Sequence, residues 1–311
     1  MKERAILVAI DFASMRRQSS AADAAKELEA LANSAGLWVV DNLIYKEKTP
    51  NAALLIGRGK TEALRDLAQK SNADVIVFES NLSSTQQRNI EELVAAKTID
   101  RTQLILDIFA LRARSTEGKL QVELAQLKYL LPRLSGKGIY LSRLGGGIGT
   151  RGPGEQKLEI DKRRIRERIV RLERELESLQ KRRLAGIEKK KQKDWPLVAL
   201  VGYTHAGKST LFNVLTQSSV AVRNKLFSTL DTTTRGVDLE GNQKALLVDT
   251  VGFVRDLPHH LIESFKATLE EAVHADLLLH VIDVSRTDWE FLQKAVENVL
   301  KDLRIDKHNM L

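Results

Sequence analysis

Gly202-Tyr203-Thr204-His205-Ala206-Gly207-Lys208-Ser209 sets two glycines, a lysine and a hydroxyl at the spacing GxxxxGK[ST], after the apolar run Leu197 to Val201 and before a helix-like stretch beginning at Leu211. In a strand, loop and helix setting that spacing does chemistry. The glycines let the loop curl so that backbone N–H groups and the helix N-terminus point at phosphate oxygens, Lys208 adds positive charge at the β and γ phosphates, and Ser209 offers a hydroxyl to Mg²⁺. A second apolar run, Ala245 to Val248, ends in Asp249 with Gly252 three residues on. Asp249 is placed to hold the magnesium through water, and Gly252 to bring a backbone N–H to the γ phosphate. Between the two motifs, Phe227 to Arg235 (FSTLDTTTR) occupies the place of a loop that covers the nucleotide. A threonine there completes the magnesium shell in the triphosphate state and lets go after hydrolysis, and the residues alone leave four threonines open. Phe253 follows Gly252 and offers no donor or acceptor to an attacking water, so slow intrinsic hydrolysis is expected unless a partner positions that water. Lys208 is expected on a surface loop, outside the core.

The elements that must carry this loop come from the wider pattern. The 311 residues, 43% apolar and 29% charged with 18 Gly and 5 Pro, suit a globular chain of more than one domain. No uncharged apolar run approaches the ~18 to 20 residues that span a bilayer, and residues 2–11 lack a signal peptide's long apolar region, so a cytoplasmic protein is expected. The absence of cysteine excludes disulfides, thiolate-ligated zinc and cysteine nucleophiles. Glu3 to Phe12, Leu37 to Tyr45 and Ala73 to Glu79 read as strands, with helices over Ser20 to Ala35, Thr61 to Lys70 and Thr85 to Ala96, which predicts an N-terminal α/β domain on a mainly parallel sheet. Gly57-Arg58-Gly59-Lys60-Thr61 resembles the end of a phosphate loop, but Leu54 stands where the first glycine belongs, so it is read as a glycine-rich turn into a helix. Trp195-Pro196 marks a boundary near residue 194. The expected domains are 1–113, 114–194 and 195–311.

The middle segment carries the charge. Between Lys157 and Lys193 stand fifteen basic and seven acidic residues, a surplus equal to the whole chain's +8. Ile165, Ile169, Leu172, Leu176 and Leu179 recur at helical spacing, and Leu120, Leu124, Leu127 and Leu131 repeat it upstream, which predicts two helices packed as an antiparallel hairpin. Residues 135–154 connect them with eight glycines, Lys137, Arg143, Arg151 and no acid. A tip of that composition lets backbone N–H groups approach a phosphate backbone, so nucleic acid is the expected partner.

Taken with these elements, GYTHAGKST at 202–210, FSTLDTTTR at 227–235, DTVGF at 249–253 and above all GGGIGTRGPGE at 145–155 resemble the HflX family of translational GTPases, in the broad class of Era and Obg. The resemblance covers nearly the whole chain. It implies an N-terminal α/β domain, a helical hairpin arm and a P-loop GTPase domain, here expected to be incomplete because the family's NKxD motif is missing from the 311 residues. By the resemblance, GTP is bound by Gly202, Tyr203, Thr204, His205, Ala206, Gly207, Lys208, Ser209, Phe227, Ser228, Thr229, Leu230, Asp231, Asp249, Thr250, Val251 and Gly252. It further implies that Ser209 and Thr229 ligate Mg²⁺, with Asp249 acting through water, and that Lys208, Thr229 and Gly252 act in catalysis. The implied partner is the large (50S) ribosomal subunit, its RNA met by Lys137, Arg143, Arg151, Lys157, Arg163 and Arg164, and the implied role of a monomeric protein is splitting, rescuing or recycling ribosomes under stress. Two departures stand out: His205 where the family has Asn, and Thr232 where it has Pro. Without NKxD, little preference for guanine and an unfilled sheet edge are expected of the 311 residues. The competing readings are a non-catalytic RNA-binding assembly or hibernation factor that uses nucleotide as a clamp, and a P-loop ATPase of another kind.

Overall fold

The computed structural model describes residues 2–14, 20–134, 153–191, 195–217, 226–227, 232–255, 272–303, 305 and 309–311, with the backbone alone at 153–158, 183–191 and 242. By its internal contacts the chain divides into two units, 1–107 with 124–173, and 108–123 with 174–311.

The first unit is built on a sheet of β1 (Arg4–Phe12), β2 (Trp38–Glu47), β3 (Val75–Phe78) and β4 (Lys97–Asp100), ordered β2-β1-β3-β4 with every pairing parallel. Parallel strands need covered faces, and β1 shows it: Ala5 to Ile10 are fully buried. The crossings are α1 (Ala21–Ala35), α2 (Arg58–Ser71) and α3 (Ser84–Val94). Ser20 caps α1 by accepting from the Asp23 N–H at 3.1 Å, Gly36 closes it at φ 87°, and Ser83 and Gln86 form a reciprocal capping box at the start of α3. The expected strands and helices are present within a few residues. Missing from the expectation were β4 and the helix that follows it, α4 (Arg101–Arg112).

The two helices expected around the tip are α5 (Thr116–Arg133) and α6 (Pro153–Lys191). Helix α6 opens with Pro at its first position, where the missing N–H costs nothing, so the last two residues of the expected tip are helical. On α6 the expected stripe is the least exposed face, with Leu172 fully buried, and the Lys128 ammonium of α5 lies 2.8 Å from Glu173 of α6. On α5 the expected stripe is met in part: Leu124 is buried and Leu120, Leu127 and Leu131 are half-buried, while Gly118, Gln121, Val122, Ala125 and Tyr129 are also buried. A polar network accounts for the turn nearest the tip. Asp100, fully buried at the end of β4, accepts from the Leu82 and Gln103 N–H groups, from the Tyr129 hydroxyl at 2.8 Å and from the Arg133 guanidinium at 3.1 Å, while that guanidinium stacks on the Tyr129 ring at 3.5 Å. Burial, with the Asp100 charge beside it, pushes the Tyr129 phenol up. The network fastens the last turn of α5 to the edge strand of the sheet.

The second unit carries β5 (Leu197–Gly202), β6 (Thr233–Asp238), β7 (Lys244–Asp249) and β8 (Leu277–Val281) in the order β6-β7-β5-β8. β6 pairs antiparallel with β7, and the other pairings are parallel. Leu200, Phe212 and Leu247 form a core between the sheet and α7 (Lys208–Thr216). α8 (Trp289–Asp302) follows β8. Beyond α8 the chain returns to the sheet. Met310 bridges Leu278 in parallel, the His280 N–H donates to the Leu311 carbonyl at 2.7 Å, and the Leu311 N–H donates to the Leu278 carbonyl at 2.9 Å. The edge of β8 expected to stand open is therefore met by residues 310–311. Among the described residues, no helix is long and apolar enough to cross a membrane.

Candidate phosphate-binding site

β5 runs between β7 and β8, and its C-terminal end delivers Gly202 into the loop. A ligand in an open parallel sheet binds at such strand ends. A Cβ on Gly202 would lie 2.4 Å from the Val281 carbonyl oxygen, and the residue sits at φ 155°, so the first glycine of the motif is set by close backbone approach. Gly207 precedes α7 at φ 95°, and Leu211 N–H closes the first helical turn onto its carbonyl at 2.9 Å. His205 adopts φ 66° with its side chain exposed. The segment after β7 is pinned to this loop by backbone bonds: Phe253 N–H to the Gly202 carbonyl at 3.1 Å and Thr204 N–H to the Phe253 carbonyl at 2.8 Å. Tyr203 adds a third tie, its hydroxyl accepting from the Arg255 N–H at 3.0 Å.

Lys208 is not on the surface. Its side chain reaches back under the loop, 6% exposed, and its ammonium donates to the Gly202 carbonyl at 3.1 Å and the Tyr203 carbonyl at 2.8 Å. Removal from water pulls the ammonium down to about 8, against which the Asp249 carboxylate pulls up. Asp249 is fully buried at the end of β7, in register with Leu200, and accepts from the Ser209 hydroxyl at 2.6 Å. Gly252 has no room for a side chain: a Cβ would stand 2.8 Å from Thr204 Cγ2 and 3.0 Å from Lys208 Nζ.

The loop 202–209, Asp249 and Gly252 are thus brought together as their spacing implies. Thr250 is fully buried with its hydroxyl donating to the Leu200 carbonyl at 2.6 Å, which commits that side chain to the sheet. Phe227 is buried at φ 55°, its ring edge-on to Phe109 of α4 with centroids 4.5 Å apart, a contact across 118 positions that no local pattern announces. Ser228, Thr229, Leu230 and Asp231 lie outside the described residues, as do Lys137, Arg143 and Arg151 and the side chain of Lys157. Arg163 and Arg164 are exposed on α6.

A desolvated ammonium, a hydroxyl paired to a buried carboxylate and two glycines that admit only backbone are features for handling phosphate oxygens, and with the mostly parallel sheet they define the P-loop nucleotide-binding class. Three family models cover almost the whole chain: a GTP-binding GTPase N-terminal region over residues 22–110, a GTP-binding GTPase middle region over 112–190, and a 50S ribosome-binding GTPase over 197–311. The GTPase HflX of Caldanaerobacter subterraneus subsp. tengcongensis is 53% identical over 302 residues, spanning 97% of this chain and 69% of that protein. That of Escherichia coli K12 is 45% identical over 308 residues, 99% of this chain and 71% of its own length. Among solved structures, the SsGBP complex with GDP superposes with a TM-score of 0.55 at 28% identity, covering 98% of this chain and 80% of that one. The chain belongs to the HflX family of GTPases.

Proposed function

We propose that the chain binds and hydrolyses GTP on the large ribosomal subunit, as a monomeric factor that splits, rescues or recycles ribosomes. The observation that carries the reading is Lys208, held desolvated beneath the loop beside the Ser209–Asp249 pair. A cation pulled from water regains favourable interaction when phosphate oxygens arrive. The family description as a 50S ribosome-binding GTPase and the GDP held by a structural relative support the nucleotide and the partner. A three-part organisation at 1–113, 114–194 and 195–311 is supported by family matches that end and begin near those boundaries.

Magnesium fits the residues present. Among the described residues no group of three histidines or carboxylates could cage a metal. Mg²⁺ bound to a nucleotide needs only one or two protein groups beside phosphate oxygens and water, and the buried carboxylate facing the Ser209 hydroxyl provides them. Ser209 and Thr229 would ligate the ion, with Asp249 acting through water, and the ion would neutralise charge on the β and γ phosphates. Lys208 and the Gly252 N–H stabilise the charge that develops on the γ phosphoryl group. The arm supplies RNA contacts through its exposed basic face, Arg163 and Arg164 among them, with Lys137, Arg143, Arg151 and Lys157 toward the tip.

The test is phosphate release from GTP with and without large subunits. Slow release by the free chain and marked acceleration by subunits are expected; equal rates would remove the ribosome from the account. Subunit affinity should also fall steeply with salt, each neutralised basic contact flattening the log–log slope by about 0.7 to 1.

A further inference from the structure

Three serine and threonine hydroxyls belong to the loop 202–209 and the strand end beside it, and two are committed: Ser209 to Asp249 and Thr250 to the Leu200 carbonyl, each at 2.6 Å. Thr204 is the third. It is 5% exposed, and its Oγ1 is shut off from solvent with no hydrogen-bond partner among the described residues. Such a group carries a desolvation cost, which a native site tolerates where a ligand completes the bond.

The surroundings say what that ligand is. The space a Cβ on Gly252 would take is ringed by Thr204 Cγ2 at 2.8 Å, Thr204 Cα at 2.9 Å and Lys208 Nζ at 3.0 Å. The Thr204 methyl and Cα therefore flank Gly252 beside the Lys208 ammonium, and the hydroxyl on the same Cβ lies next to what, under the proposed function, is the γ-phosphate end of the nucleotide. Phe253 is no substitute for a water-orienting side chain. Its ring is buried at 2% exposure, and its N–H and carbonyl are both spent on the loop.

We infer that Thr204 is a further catalytic residue, its hydroxyl accepting a hydrogen bond from the water that attacks the γ phosphorus. In that step the water oxygen forms the new P–O bond. The bond from phosphorus to the β,γ-bridging oxygen breaks, its electron pair leaves with GDP, and the water's proton passes to a phosphate oxygen, giving GDP and inorganic phosphate. Thr204 neither gains nor loses a proton overall; it fixes the water's direction of approach.

This assignment rests on the hydrolytic reading, and the experiment separates the two. Thr204→Val and Thr204→Ser are compared with the unaltered chain in single-turnover phosphate release with large subunits, alongside GDP affinity by calorimetry. The valine variant should lose roughly 100-fold in rate, as when a reacting group loses its orientation. Its rate should fall much further than its GDP affinity, while serine recovers most of the rate. If valine does not fold, Thr204→Ala takes its place with the same readouts. A hydroxyl-free variant at full rate, or one whose GDP affinity falls in step with its rate, overturns the assignment. No phosphate release by the unaltered chain would instead bring down the hydrolytic reading.

Discussion

The turn from β2 into α2 and the turn from β5 into α7 both present a glycine, a lysine and a hydroxyl in succession, Gly59-Lys60-Thr61 and Gly207-Lys208-Ser209, yet their lysines live in opposite surroundings. Lys60 is 39% exposed, held by Glu47 at 3.1 Å and by the Lys46 carbonyl, with its ammonium 5.8 Å from the centre of the Tyr45 ring. Gly57, just before α2, has φ −62°, which any residue adopts; Gly207, just before α7, has φ 95°. Where Gly202 lets the chain pass against Val281, the first turn has Leu54. The difference teaches that a phosphate loop is made by its backbone path. That path draws the lysine under its own carbonyls, whereas a turn with the same closing letters leaves it among ordinary surface partners.

The comparison breaks most sharply at the two lysines. Lys208→Ala should cost at least about a thousandfold in affinity for GDP or GTP, roughly 4 kcal/mol, while Lys60→Ala stays within about twofold, both read by calorimetry. Equal losses would erase the distinction. The glycines come next. Gly202→Ala should destabilise the fold by about 3 kcal/mol in urea unfolding, because backbone rather than a flexible side chain blocks the new methyl. Gly59→Ala meets nothing within 4 Å inside α2 and should be neutral or stabilising by up to about 1 kcal/mol. The smallest effect is on pH dependence. The Lys208 ammonium titrates near 8 in the fold and near the ordinary 10.5 when unfolded, so between those values the unfolded chain binds more protons and stability rises with pH. Relative to Lys208→Met, the nucleotide-free protein should gain about 2 kcal/mol from pH 8 to pH 10. A flat difference would mean the ammonium is not desolvated.

The phosphate site was legible because its chemistry is local: one loop, one strand end and one DxxG, each within a few residues. Its burial was not. The motif names Lys208 but does not show the ammonium folded beneath Gly202 and Tyr203, and it marks Thr204 only as a variable letter. In the N-terminal sheet, strands and helices with clear periods were found, and β4 with α4 was not. Four residues ending in a buried Asp100 make a weak strand signal, and Leu104, Ile105, Leu106, Ile108 and Phe109 are buried around α4 with no single apolar face to betray a period. The Asp100 network joins residues 29 and 33 positions apart, and Phe109 meets Phe227 across 118 positions; pairings at such distances leave no mark in a local pattern.

The most direct test of the central claim, that this loop is built around a desolvated ammonium awaiting phosphate, is proton uptake on GDP binding, measured by calorimetry at pH 8 in buffers of different ionisation enthalpy. Phosphate should restore the full charge of Lys208, so the account predicts uptake of roughly half a proton per GDP bound, fading toward pH 6 and unaffected by Lys60→Ala. Tight GDP binding at pH 8 with no proton taken up would contradict it.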